Sequence, residues 1–126
     1  QRERYRTYEG VSVSGFPNWF AVFGPYGYNG ASYFTLIEAQ TAHITRCLLH
    51  ARDGGATSVE VRPEAVDRYF GEMMRRRGHQ VFWQASCAQA NSYYFTKDGD
   101  VPLRPSSTSE TAHRARHFPL EDYQLR

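Results

Sequence analysis

The sequence predicts an α/β fold which, taken alone, forms a small α+β unit of a buried strand, a long helix, a second helix, a β-hairpin and an irregular tail. Three patterns carry this expectation. Residues 19–23, WFAVF, are an unbroken apolar run closed by Gly24-Pro25, as in a strand buried on both faces. Behind it, residues 31–51 repeat apolar or small side chains at helical spacing. Later, Asp98-Gly99 separates two strand-like runs, and both residues tolerate the positive φ of a hairpin turn.

Taken in order, residues 1–15 are polar and irregular, with Val11 and Val13 alternating against Ser12 and Ser14 as in a short strand. A Gly15-Phe16-Pro17-Asn18 turn leads into the 19–23 strand. The next stretch, 26–32, offers backbone freedom at Gly27 and Gly30 and a helix cap at Asn29 or Ser32. The long helix carries Tyr33, Ile37, Gln40, Ile44, Cys47, Leu48 and Ala51 on its stripe, widened by Phe34 and Leu36. It ends before Asp53-Gly54-Gly55, where a glycine can take the left-handed cap.

A short strand at 59–61 precedes Pro63 and Glu64, which suit the first helical position and the positive end of the helix dipole. Val66, Tyr69, Phe70, Met73 and Arg77 continue this second helix to residue 77, and Gly78 stops it. Arg75-Arg76-Arg77 fall in its last turn, where cations favour the negative helix end, and they read as a solvated cap. Strand character returns at 79–83, 92–96 and 101–104 around the hairpin turn. Residues 106–126, rich in turn formers and charges, are expected to wrap the surface.

At 126 residues with 40% hydrophobic content the chain has the size of one domain with a modest core. Its net charge of +2 is spread along the chain, so no basic face is expected, and neither nucleic acid nor an anionic membrane is an expected partner. No apolar run approaches the roughly 18–20 residues that cross a bilayer, and QRERYRTYEG lacks the apolar centre of a signal peptide. Two cysteines, Cys47 and Cys87, make neither a disulfide framework nor a zinc site, and a cytoplasmic location is the default expectation. A start at Gln1 within a charged stretch suggests processing, proteolysis or an engineered boundary.

Local signatures of catalysis are missing. His43 and His50 lie seven apart with no ligand beside them, and His113 and His117, four apart, lack the adjoining Glu of the zinc hydrolase pattern. No helix is expected around the latter pair, so they read as exposed polar residues; no metal ligand and no catalytic residue is assigned. The turn at 24–32 is different. A strand delivers Gly24 and Pro25, small residues let a ligand approach the backbone, and a helix start aims unpaired N–H groups at it, which favours an anion or an electron-rich cofactor. Ordinary strand-turn-helix packing is the alternative.

At these residues the sequence resembles the class B flavin-dependent monooxygenases, the Baeyer-Villiger and flavin-containing kinds. The resemblance rests on GFPNWF at 15–20, GP at 24–25, NGAS at 29–32 and IEAQ at 37–40. YRTYEGVSVSGFPN, VEVRPEAVDRYF and ANSYYFTKDGDVPLRPSST extend it in register over nearly the whole chain. Two positions depart from the family pattern: Tyr26 replaces the usual Asn after Gly-Pro, and Asn91-Ser92-Tyr93-Tyr94 lacks the Trp often found near the late hairpin.

The resemblance implies the C-terminal part of a Rossmann-type FAD-binding domain. Residues 1–55 would supply its last strand-turn-helix, and 56–126 a helix, hairpin and wrapping tail. It implies FAD and NADPH as cofactors, transfer of one oxygen atom from a C4a-peroxyflavin to a ketone, amine or sulfide, and FAD contact at Gly24, Pro25, Tyr26, Asn29, Gly30, Ala31 and Ser32. Tyr28 and Tyr93 would face a small organic substrate. Both Gly-x-Gly-x-x-Gly fingerprints and the catalytic Arg of Baeyer-Villiger members are missing, so the segment alone is not expected to hold FAD or turn over, and the upstream FAD/NADPH-binding part of the enzyme is its expected partner. The alternative expectation is a non-catalytic, dimeric interaction module derived from such an enzyme.

Overall fold

The computed structural model describes residues 5–79, 96 and 101–126. The elements are helix α1 (Tyr33–Asp53), strand β1 (Val59–Val61), helix α2 (Pro63–Arg76), helix α3 (Thr108–His117) and strand β2 (Tyr123–Leu125), with short 3-10 turns at Arg77–His79 and Leu120–Asp122. The two helices expected from periodicity are present. Pro63 stands at the start of α2, where its missing N–H costs nothing, and Glu64 lies in the first turn. Beyond α1, Gly54 keeps a negative φ, and Gly55 takes the left-handed conformation at φ 65°.

The buried side of α1 consists of Leu36, Ala39, Gln40, His43, Cys47 and Ala51, spaced as one helix face. The expected stripe is therefore corrected: Tyr33, Phe34, Ile37 and Leu48 are exposed. Leu36 fills the core, while Gln40 and His43 are inside because hydrogen-bond partners meet them there.

The expected strand at 19–23 is not formed. Positive φ at Asn18 and Phe23 brackets the segment, and Trp19 and Val22 are exposed. Its amides bond to loops and side chains, Ala21 to the Val11 carbonyl and Phe23 to Gln40. Without a neighbouring strand among the described residues, an apolar run has no ladder to join. Residues 11–14 form no strand either, and only an isolated bridge joins Tyr8 to Ser12.

The tail is the larger correction. Instead of wrapping the surface, 106–126 supplies α3, which packs against α1, and β2, which pairs antiparallel with β1 in the register Val59 to Leu125 and Val61 to Tyr123. Ser107 caps α3 by accepting the Glu110 amide at 3.1 Å, a Ser-x-x-Glu start. Phe118 and Tyr123 then enter one core with Tyr8, Tyr26, Cys47, Val59, Val61, Tyr69 and Met73. Residues on both sides of position 55 thus share that core. The 79–83 and 92–96 strands and the Asp98-Gly99 turn lie outside the described residues apart from His79 and Thr96, and 101–105 are irregular.

A single core does not exclude polar chemistry. Around Tyr8, the rings of His43, Tyr69, Phe118 and Tyr123 pack edge-on at 5.7–6.1 Å. Tyr123 Oη bridges Ser12 Oγ at 2.6 Å and His43 Nε2 at 2.7 Å. Tyr8 hydrogen-bonds Asp122, which also meets Arg68 at 2.5 Å. Burying rings that carry a satisfied polar tip gives aromatic area without an orphaned hydroxyl.

Candidate functional site

The turn at 24–32 is built from two unlike halves. In the first, the glycines serve the chain itself. A Cβ on Gly24 would stand 2.6 Å from the Gly10 carbonyl oxygen, and one on Gly27 would stand 2.8 Å from the Gly10 Cα. These close approaches let the N-terminal loop lie flat on the turn, with the Gly24 amide donating to the Gly10 carbonyl at 3.0 Å. Small residues here admit a neighbouring backbone of the same chain.

Tyr26 lies at the centre with a left-handed φ of 61° and 1% exposure. Its ring packs edge-on against Phe70, its amide donates to the Pro102 carbonyl at 2.8 Å, and its carbonyl accepts the Tyr69 hydroxyl at 2.6 Å. It stands in the core. The Pro25 carbonyl accepts the Thr7 hydroxyl at 2.5 Å.

Gln40 clamps the turn from α1. Its Oε1 accepts the Phe23 amide at 2.9 Å, and its Nε2 donates to the Gly27 carbonyl at 3.2 Å. One buried side chain thereby closes both arms of the turn, which explains why a Gln belongs at that place on the helix. Composition and periodicity make Gln40 one more member of a stripe; its amide in an otherwise apolar register is the signal of its role.

The second half opens outward. Asn29 Oδ1 accepts the Ala31 amide at 3.1 Å, and Nδ2 donates to the Ser106 carbonyl at 3.0 Å, which ties the loop to the start of α3. Gly30 has a φ of 84°, and a Cβ there would meet no atom within 4 Å. Ser32 precedes α1 without a side-chain cap bond, so the first-turn amides of Tyr33, Phe34 and Thr35 lack both an intrahelical partner and a cap from that side chain. Tyr28 stacks on Tyr33 at 5.0 Å and 1°, with Phe23 edge-on to both at 5.2–5.4 Å. Of the residues singled out from sequence, Tyr28, Asn29, Gly30, Ala31 and Ser32 are thus gathered at the helix start, Gly24, Pro25 and Tyr26 lie behind them, and Tyr93 lies outside the described residues.

An ionic network stands behind the turn. Glu9 meets Arg104 at 2.5 Å and Arg114 at 2.6 Å; Arg114 also meets Glu72, and Arg76 joins Glu72 to Glu110. Hydrogen bonds from Arg114 hold Glu72 below the usual carboxylate range, and those from Arg76 do the same for Glu110. Burial lowers the Arg114 pKa, but its bonds to Glu72 and the charge of Glu9 outweigh that and raise it overall. Arg76, expected to be a solvated cap, is instead an ion-pair hub. The sequence contains all six residues, but nothing in their spacing pairs positions 9, 104 and 114.

Other candidate chemistry is quiet. Burial pushes the Cys47 thiol up to about 12, which leaves it protonated and unreactive. Among the described residues, no group of three or more His, Cys, Asp or Glu side chains could hold a metal, and no helix is long and apolar enough to cross a membrane. A cleft of about 360 Å³ lies between α2 and α3, its wall formed in part by Arg68, Glu72, His113, Arg114 and His117.

The turn is clamped from a long helix whose amino end opens outward, and comparison with known proteins gives the chain a relationship. The chain is 27% identical over 117 residues to an uncharacterised monooxygenase of Mycobacterium tuberculosis, covering 92% of this chain and 23% of that protein. It is 29% identical over 119 residues to a Baeyer-Villiger monooxygenase of Streptomyces coelicolor, covering 92% and 22% respectively. Among solved structures, a steroid monooxygenase bound to NADP superposes with a TM-score of 0.75 at 21% identity, covering 95% of this chain and 23% of that one. A mutant cyclohexanone monooxygenase from Rhodococcus bound to NADP+ gives 0.76 at 19%, covering 98% and 22%. At those identities the structural likeness shows the fold alone. No protein-family model matches.

The chain is homologous to the class B flavin-dependent monooxygenases. It spans less than a quarter of the length of the relatives it matches.

Proposed function

We propose that these residues complete the FAD-binding domain at the C-terminal end of an FAD- and NADPH-dependent class B monooxygenase. The observation that carries this reading is the outward-facing start of α1, with no Ser32 side-chain cap, open space at Gly30 and exposed apolar side chains around it. These features fit a flat, electron-rich ring. When bound, FAD reduced by NADPH supplies the activation of dioxygen that places one oxygen atom in a ketone or on an amine or sulfide.

The chain's own part is electrostatic and steric. The amides of residues 33–35 lie at the positive end of a helix of 21 residues and would stabilise negative charge at the flavin pyrimidine edge by ~1 kcal/mol. Gly30, Ala31 and Ser32 give access to that edge, and Asn29 and Gln40 hold the loop in place. The stacked Tyr28 and Tyr33, braced by Phe23, would form a wall toward the substrate, with Tyr93 a further substrate contact. Gly24, Pro25 and Tyr26 act by shaping the turn. The partner is the upstream dinucleotide-binding part of the same enzyme, and the expected compartment remains the cytoplasm.

The test uses the complete polypeptide that contains these residues. It is expected to purify yellow, with flavin absorbance, and to oxidise NADPH faster when a ketone, amine or sulfide is added. A colourless protein without flavin affinity overturns the reading. Exposed Phe16, Trp19, Phe34 and Leu48 also favour a second reading, a non-catalytic module that buries them against a second copy. A stable homodimer with no affinity for FAD would select it.

A further inference from the structure

His113 and His117, expected in irregular chain, stand one turn apart on α3, with rings 4.1 Å apart and 19° from parallel. Both are exposed. Residues spaced by four on a helix share a face, which brings two imidazoles within reach of one ion. His117 is already oriented: its Nδ1 lies 2.8 Å from the His113 carbonyl oxygen. That carbonyl can only accept, so Nδ1 carries the proton, and the neutral ring then offers the Nε2 lone pair. Metal-bound imidazoles are commonly held in this way, with the second nitrogen donating to a backbone carbonyl that fixes tautomer and ring plane.

The surroundings are compatible with a cation. His117 is the last residue of α3, at the negative end of the helix dipole. The guanidinium of Arg114 is matched by Glu9 and Glu72, and that of Arg68 by Asp122. Arg116 keeps its positive charge, with its side chain drawn back along α3 to the Ala112 carbonyl. Both imidazoles border the cleft between α2 and α3, which leaves room for water in the remaining coordination positions.

We propose that His113 and His117 chelate one divalent transition ion of the imidazole-seeking class, such as Zn²⁺ or Ni²⁺, with water completing its shell. Rotation of the His113 ring out of the stack turns its nitrogen toward the ion, and no proton needs to leave a neutral imidazole. The site is independent of flavin and lies on a different helix from the 24–32 turn.

Calorimetric titration of the intact protein with ZnCl2 or NiCl2 tests this, with MgCl2 as the oxygen-seeking control. One ion per chain is expected for Zn²⁺ and Ni²⁺ and none for Mg²⁺, with a rise in melting temperature on Zn²⁺ addition. His113→Gln and His117→Gln should each weaken binding at least about tenfold and abolish that rise, while His50→Gln leaves both unchanged. Circular dichroism checks that the variants fold. A Zn²⁺ Kd weaker than about 1 mM, or binding unchanged in His117→Gln, overturns the proposal.

Discussion

Glu9 and Arg104, 95 residues apart in sequence, form an ion pair sealed from solvent, with Nη2 2.5 Å from Oε2 and side chains only 4% and 2% exposed. The other carboxylate oxygen of Glu9 takes Arg114, so one acid joins the N-terminal loop to α3 and to the 101–105 segment. Removing one charge leaves its partner buried and uncompensated, which typically costs about 3–5 kcal/mol. Glu9→Gln is therefore expected to lower the urea midpoint by that equivalent. Arg76→Ala, at the solvent-accessible end of the same network, should cost about 1 kcal/mol or less. Equal losses for the two variants would contradict this ranking.

Acid sensitivity should begin above the carboxylate range. Burial, reinforced by the charges of Arg104 and Arg46, lowers the His43 pKa from 6.5 to about 3. A neutral His43 in the folded state means that the unfolded chain binds the extra proton. Its contribution is complete above about pH 6.5 and declines as pH falls toward about 3, by several kcal/mol in all. Glu72 and Glu110 are depressed from 4.5, so their contribution is lost only below that value. Urea midpoints between pH 6.5 and 4.5 should fall in the parent, and His43→Gln should flatten that limb.

Two glycines with similar φ should behave differently. At Gly10, with φ 75°, a Cβ would meet the Gly27 Cα at 2.2 Å, a clash with backbone that no rotamer change relieves. Gly30, with φ 84°, meets nothing. Gly10→Ala is expected to cost ~3 kcal/mol or more from overpacking added to left-handed strain, and Gly30→Ala about 1–2 kcal/mol from strain alone. Thermal melts of the two variants decide this.

These contrasts show which features are legible in the sequence. Both long helices are, because periodicity, Pro63 and the 53–55 terminus are local signals. The 19–23 run also looks local, yet a strand exists only through a neighbour, and its apolar side chains go in part to exposed surface instead. The tail resists such reading because its charges and turn formers hide a Ser107-x-x-Glu110 cap and Phe118 and Tyr123, which matter only once β1 offers them a partner. At the turn, the glycines are legible as small-residue positions, but their reason is not. Gly24 and Gly27 are fixed by contact with Gly10, and Gln40 by two carbonyl and amide partners that helical spacing cannot reveal.

The exposed apolar residues and the clamp behind them separate structural from assembly roles. Phe34 is 80% exposed and Trp19 50%. In the chain as it stands, little area is lost by truncating Phe34, so Phe34→Ser should change stability by about 0.5 kcal/mol or less. Under the proposed function the same side chain is covered in the complete polypeptide, where burying an aromatic of that size contributes about 1.5–3 kcal/mol. Phe34→Ser is therefore expected to release flavin from the complete enzyme while leaving the urea midpoint of the chain unchanged. Gln40→Leu should fall short on both measures, because the Phe23 amide and Gly27 carbonyl lose their partners inside the chain, at about 1–3 kcal/mol each. Flavin retained by Phe34→Ser would mean that this part of α1 faces solvent in the assembled enzyme, whereas flavin lost only in Gln40→Leu would place the whole effect in the turn.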